Sequence, residues 1–150
     1  KKYPVMVEWW ETKAKVACEK PLARKDNFKY LYERLQSCEN FLILPEATPN
    51  SDPSWFGFLI TIKGDVGINR IDLINYLTQH HIGTRLLFAG NLTKQPYFKN
   101  KKYRISGGLD NTDFVMNNSF WIGVYPGLTN DAIDFMIETV HEFIKISQTK

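Results

Sequence analysis

The sequence contains no apolar run near the ~20 residues that a membrane-spanning helix needs, and no series of basic, apolar and small residues opens it as a secretory leader would. It is therefore expected to be cytosolic, with no membrane role. Cysteine is scarce, and its two instances, Cys18 and Cys38, have neither the close spacing of a redox pair nor the histidine partners of a zinc site. They are read as buried or incidental thiols. Without a secretory context, the triplets Asn91-Leu92-Thr93 and Asn117-Asn118-Ser119 have no meaning as glycosylation acceptors.

Charge of one sign is also lacking. Nineteen Lys and Arg against sixteen Asp and Glu leave a net charge of only +3. The one local basic run, Lys94, Lys99, Lys101, Lys102 and Arg104, is too short for a nucleic-acid footprint and is read as a solvated loop. No glycine-rich phosphate loop, metal-ligand cluster or nucleophile elbow is present, so no self-contained active site can be read from the chain.

What remains is a foldable domain. The 150 residues are 43% hydrophobic and 14% aromatic, enough for one core and too few for two ordinary ones. Residues 1–20 show no sustained period and are set apart as an irregular or displaced segment, leaving 21–150 as the domain. Pro21 suits a first helical position, and Phe28, Leu31, Tyr32 and Leu35 then recur at helical spacing to about Ser37. A proline-bearing loop, Asn40 to Pro53, surrounds a short apolar stretch, Phe41 to Leu44.

In Trp55 to Lys63, Phe56, Phe58, Ile60 and Ile62 alternate onto one face of an expected strand, with Gly57 hinting at a bulge or close backbone approach. Asn69 is a plausible N-cap for a helix over Arg70 to His80. A short strand is expected over Thr84 to Phe88, then an excursion loop from Lys94 to Asn111 and a short helix over Thr112 to Asn117. A second aromatic strand follows over Phe120 to Tyr125. Thr129 caps a last helix whose stripe is Ile133, Met136, Ile137, Val140 and Ile144. The expected class is α+β, a small antiparallel or mixed sheet covered by helices.

Chemistry-bearing candidates are few. His80 and His81 are adjacent at a helix end and point in different directions, so they are read as dipole-favouring termini. Asp110 and Asp113 are read as caps of the short helix. Arg85, between Gly83-Thr84 and Leu86-Leu87-Phe88, could present its planar donor fork to an anionic ligand across a cleft. A buried structural salt bridge would explain the same pattern.

Three segments carry a wider likeness: Pro53 to Phe58; His81 to Leu92 with Gln95-Pro96; and Asn111 to Thr129. On these the chain resembles the nucleotide-sugar aminotransferase family of vitamin B6 enzymes, in its 3-dehydrase branch. The words Gly83-Thr84-Arg85 and Ala89-Gly90-Asn91 favour that branch over the aminotransferases proper. The likeness runs from about Leu22 to Lys145, and residues 1–19 depart from it.

The resemblance implies the C-terminal small domain of a fold type I enzyme, active as a homodimer. It would remove the 3-hydroxyl of a 4-keto nucleotide sugar in dideoxysugar and lipopolysaccharide synthesis. Pyridoxamine or pyridoxal phosphate would be bound outside this segment, and an iron-sulfur cluster and a reductase partner are implied for the CDP-sugar branch. No catalytic, cofactor or metal residue is assigned here. By resemblance Arg85 contacts the nucleotide-sugar substrate, with Asn91 as a second candidate. Family members are far longer, so the chain is expected to be a fragment or a shortened relative, inactive alone. Two other readings stand beside this one: the small domain of a nucleotide-sugar aminotransferase, and a stand-alone interaction module using Trp9, Trp10 and Tyr97.

Overall fold

The computed structural model describes residues 22–149. Helix α1 spans 22–35 and turns into a short 3-10 segment, Gln36–Cys38. Strands β1 (Leu42–Ile43) and β2 (Phe58–Ile62) follow, then α2 (Arg70–Gln79), β3 (Thr84–Leu86), α3 (Asp110–Asn118), β4 (Ser119–Ile122) and α4 (Asn130–Gln148). The four strands form one antiparallel sheet in the order β1-β2-β4-β3. The expected α+β class holds, and the sheet is antiparallel throughout.

The core lies on one face of that sheet. Phe58, Ile60 and Ile62 of β2 alternate inward, and their antiparallel neighbours Ile122 and Phe120 of β4 share that face. Leu31 and Leu35 of α1, Leu73 and Leu77 of α2, and the α4 stripe pack into the same cluster. Helices α1, α2 and α4 thus lay apolar stripes on a pleated surface, an arrangement that removes much carbon from water for elements of this size.

Local chemistry sets the helix ends. The Asn69 side chain accepts a hydrogen bond from Ile71 N–H at 2.7 Å, and Thr129 Oγ1 accepts one from Ala132 N–H at 3.2 Å, so both expected caps are present. The residue that stops α2 is not a glycine. His81 takes the left-handed conformation at φ 59°, Ile82 N–H reaches back to Leu77 O at 2.9 Å, and His81 N–H to Thr78 O at 3.0 Å. That double closure is a Schellman ending in which a histidine fills the place that glycine usually takes.

Five expectations change, one of them the strand expected over Phe120 to Tyr125, which spans Ser119–Ile122. The apolar stretch Phe41 to Leu44 contains β1, an edge strand too short to show a period. The strand expected over Trp55 to Lys63 contracts to Phe58–Ile62, and Phe56 lies 76% exposed before it. The strand expected over Thr84 to Phe88 ends at Leu86, because the chain turns: Phe88 N–H donates to Leu86 O at 2.9 Å and Phe88 has φ 44°. The short helix starts two residues earlier than expected, and its N-cap Leu109 has no side-chain cap bond, so neither Asp110 nor Asp113 caps it.

Candidate functional site

The sheet face opposite the core holds the most unusual surface. Arg85 stands directly across from Trp121 in the β3–β4 register, so their side chains share that face. Farther along it, Thr61 and Ser119 lie buried with their hydroxyl oxygens 2.7 Å apart. The Trp121 end of the face is more open. The Trp121 ring is half-buried and flanked edge-on by Phe56 at 6.1 Å and Phe88 at 6.0 Å, which are 76% and 80% exposed. Aromatic side chains grouped this openly are costly in water, and such patches mark surfaces that meet a ligand or another polypeptide.

Arg85 is exposed, and among the described residues its guanidinium makes one hydrogen bond, Nη1–H to Thr84 O at 3.1 Å, and no ion pair. The buried salt bridge that could have explained it is not what these residues form. With Phe56, Gly57, Thr84 and Trp121 it lines a shallow cavity of about 290 Å³. Gly57 allows this geometry, since a Cβ there would lie 3.1 Å from both Ile122 O and the Trp121 ring. The close approach hinted at by a glycine in a strand pattern is real, although it falls one residue before the strand.

Asn91 has a different place. It is only 2% exposed, and both ends of its amide are engaged. Its Oδ1 accepts from Thr93 N–H at 3.0 Å and from Thr93 Oγ1–H at 2.7 Å, and its Nδ2–H donates to Asp113 Oδ1 at 2.7 Å. It starts the 3-10 turn Leu92–Lys94 and ties that turn to α3. Asp113 also receives Lys94 Nζ at 2.8 Å. The sequence does not reveal this three-residue tie, because its members sit in a loop and a helix with no shared period.

The Lys94 ammonium and the Asn91 amide hold the Asp113 carboxyl below its ordinary range. A carboxyl with a depressed folded pKa adds stability above its unfolded value, about 4, and loses it as pH falls through the folded value. Asp113→Asn should therefore lower the thermal midpoint at neutral pH. The gap to the parent chain should close on acidification below about pH 4; a gap that does not change with pH would remove the ion pair from the account.

The turn between β3 and Asn91 is equally constrained. Gly90 has φ 61°, and a Cβ there would lie 2.4 Å from Met116 Cγ. Gly90→Ala should thus cost about 1–3 kcal/mol in denaturant unfolding, from both the left-handed backbone and the overlap. An unchanged midpoint would show that Met116 moves aside freely. Phe88, strained for a bulky residue at φ 44°, presents its ring to Trp121 from the same turn.

The remaining candidates have structural explanations. The His80 Nδ1 lies 2.8 Å from Tyr76 O, and His81 supplies the helix stop, so the pair sits at the end of α2. Cys38 is a buried, unbridged thiol whose pKa burial pushes up, while Cys18, Trp9 and Trp10 fall outside the described residues. The basic residues Lys99, Lys101, Lys102 and Arg104 are exposed, with Lys101 Nζ 4.8 Å from the Tyr97 ring centre. No described helix is long and apolar enough to cross a membrane.

A pyridoxal phosphate site needs a phosphate cradle, a carboxylate for the pyridine nitrogen, and a lysine or substitute base, all facing one cavity. The cavities of about 500 and 590 Å³ are lined mainly by apolar groups and glycines, and neither they nor the Arg85 hollow gathers that set. The described residues do not make such a site by themselves.

The described residues thus form an antiparallel α+β domain with an uncovered arginine-aromatic face. The chain belongs to the DegT/DnrJ/EryC1/StrS aminotransferase family, whose model matches residues 17–141. It is 57% identical over 124 residues to the lipopolysaccharide biosynthesis protein RfbH of Salmonella typhimurium, covering 83% of this chain and 28% of that protein. It is 50% identical over 122 residues to the dTDP-4-dehydro-2,6-dideoxy-D-glucose 3-dehydratase of Saccharopolyspora spinosa, covering 81% of this chain and 26% of that enzyme. A solved E. coli GDP-4-keto-6-deoxy-D-mannose-3-dehydratase with bound hydrated PLP superposes with a TM-score of 0.71 at 26% identity, over 80% of this chain and 30% of that one. The chain thus spans little more than a quarter of the curated relatives it matches.

Proposed function

We propose that these residues form the C-terminal, substrate-contacting domain of a pyridoxal- or pyridoxamine-phosphate-dependent nucleotide-sugar 3-dehydratase serving dideoxysugar and lipopolysaccharide synthesis in the cytoplasm. The observation that carries the reading is Arg85: an exposed guanidinium with no carboxylate partner among the described residues, beside Trp121 on the open end of the sheet. A planar donor fork in that position suits a phosphate or diphosphate oxygen. Its apolar neighbours would exclude water once the face is covered, which strengthens the contact.

The cofactor, when bound, supplies the electron sink for loss of the 3-hydroxyl. The residues of this chain bind and orient the substrate. Asn91 enters as a positioning residue, fixing the turn that follows Phe88, rather than as a direct contact, because it is buried and both ends of its amide are held within the chain. A homodimer, a reductase partner and an iron-sulfur centre complete the family reading. Among the described residues no group of three His, Cys, Asp or Glu could hold a metal, so such a centre would draw its ligands from elsewhere. The dehydratase reading is preferred to the aminotransferase one because the curated matches at 57% and 50% identity are a lipopolysaccharide biosynthesis protein and a 3-dehydratase, while the aminotransferase of Psychrobacter cryohalolentis shares the fold at only 15%.

The isolated chain offers a direct check. Adding pyridoxamine phosphate to it should produce no specific absorbance change, and no 4-keto-6-deoxy nucleotide sugar should turn over. Turnover by the purified 150-residue chain would overturn the assignment of the chemistry to other residues.

A further inference from the structure

Met116 joins segments that lie far apart in sequence. Its carbonyl oxygen accepts from Arg70 Nη1–H at 2.7 Å, and Arg70 stands at the start of α2. Its sulfur accepts from the Asn91 backbone N–H at 3.2 Å, in the chain that leaves β3. Between these two bonds the side chain lies against Gly90, where a Cβ would be 2.4 Å from Met116 Cγ and 2.8 Å from Sδ. A methionine that only filled a gap would do so with its carbon. Here the sulfur itself is bonded, and the backbone it holds has just passed two left-handed residues, Phe88 at φ 44° and Gly90 at φ 61°.

That side chain is also within reach of solvent. Met116 is half-buried, and with Leu87, Phe88, Leu92 and Val115 it lines a hollow of about 590 Å³. Met136, by contrast, is 7% exposed and packed in the core, while Met6 falls outside the described residues. Burial keeps Cys38 away from the reactive thiolate form.

We propose that Met116 is a site of reversible oxidation, converted by hydrogen peroxide to the sulfoxide, and that this change releases the turn that carries Phe88 beside the Arg85 face. A sulfur lone pair attacks one peroxide oxygen. The O–O bond breaks, an S–O bond forms, the thioether gives up two electrons, and the second oxygen leaves as water with both protons. In the reverse direction a thiol-dependent sulfoxide reductase removes the oxygen as water while two thiols become a disulfide.

The sulfoxide carries its acceptor on oxygen instead of sulfur, so the Asn91 N–H loses its partner where it stands. No room for that oxygen exists on the Gly90 side, because Cγ and Sδ already lie against the glycine. The turn must shift, and with it Phe88, whose ring centre is 6.0 Å from that of Trp121. Because the Asn91 N–H covers one lone pair of the sulfur, oxygen adds at the other, and one of the two sulfoxide epimers should dominate. The effect on substrate rests on the reading of Arg85 as a contact; the chemistry at sulfur does not.

The test treats the 150-residue chain with hydrogen peroxide and follows each methionine by peptide mass spectrometry. Met116 should oxidise ahead of Met136 and lower the thermal midpoint by roughly 3–6 °C. The amide shifts of Phe88, Asn91 and Trp121 should move with it. One of the two epimer-specific reductases should restore the midpoint, and the other should not. Met116→Leu keeps the volume and removes the sulfur, so peroxide should leave its midpoint unchanged. In an enzyme that carries this segment, peroxide should raise the KM for the nucleotide sugar severalfold with Met116 in place and leave it unchanged with Met116→Leu.

Oxidation of Met116 no faster than that of Met136, equal repair by both reductases, or unmoved Phe88 and Trp121 shifts in the oxidised chain would overturn the proposal. A KM that depends on Arg85 but not on the oxidation of Met116 would overturn the switch and leave the Arg85 reading standing. A KM indifferent to both residues would overturn both.

Discussion

Arg85→Ala is expected to raise the KM for the nucleotide sugar by roughly 30- to 700-fold, about 2–4 kcal/mol, in an enzyme that carries this segment. The guanidinium is exposed in the isolated domain and makes only one bond, to a neighbouring carbonyl, so its removal leaves no buried partner unsatisfied. Folding stability should therefore change by no more than about 0.5 kcal/mol, the range for surface substitutions. The separation of the two effects is the informative part: a large loss of affinity with an unchanged unfolding midpoint assigns Arg85 to the substrate. Arg85→Lys should recover only part of the affinity, since an ammonium cannot form a two-pronged contact. A full loss of stability without change in KM would return Arg85 to a structural role.

The second large effect concerns the core. Phe58→Ala should destabilise the domain by about 3–5 kcal/mol, the usual cost of a buried phenylalanine. Phe58 is fully buried, pairs with Ile122 across the sheet and meets the Phe28 ring at 5.0 Å, so α1 cannot readily collapse into the space. Phe56→Ala, two residues earlier, should cost no more than about 0.5 kcal/mol because that ring is 76% exposed. Urea unfolding of the two variants side by side checks the claim. Comparable losses would mean that Phe56 belongs to the same core.

That contrast also shows what sequence pattern could and could not convey. Alternation over Phe56, Phe58, Ile60 and Ile62 placed four residues on one face, and it was right for the last three. Gly57 breaks the pleat where the chain passes over Trp121, and a period of two carries no information about such a break. Capping chemistry was legible at Asn69 and Thr129, where a short polar side chain precedes an apolar stripe. It misled at Asp110 and Asp113, whose carboxylates lie inside the first turn of α3. The end of α2 was legible as an end, although its left-handed residue is a histidine. β1, with two residues, is held by its pairing with β2 and has no local signature.

The site was legible only in part. The likeness of Gly83-Thr84-Arg85 to a family pattern singled out Arg85, and the fold adds its exposed setting beside Trp121, Phe56 and Phe88. The same likeness singled out Asn91, whose environment could not be read locally: its partners Asp113 and Met116 come 22 and 25 residues later.

The central claim, that this segment is the substrate-contacting domain of a 3-dehydratase completed by a cofactor-bearing part, is tested most directly by exchange. Residues 22–145 can replace the matching segment of the Saccharopolyspora spinosa 3-dehydratase, the relative 50% identical to this chain. The measurement is kcat/KM for that enzyme's own substrate. The account predicts turnover within about tenfold of the parent, a change of no more than about 1.4 kcal/mol in transition-state stabilisation. A folded, cofactor-loaded exchange enzyme with no turnover would contradict it.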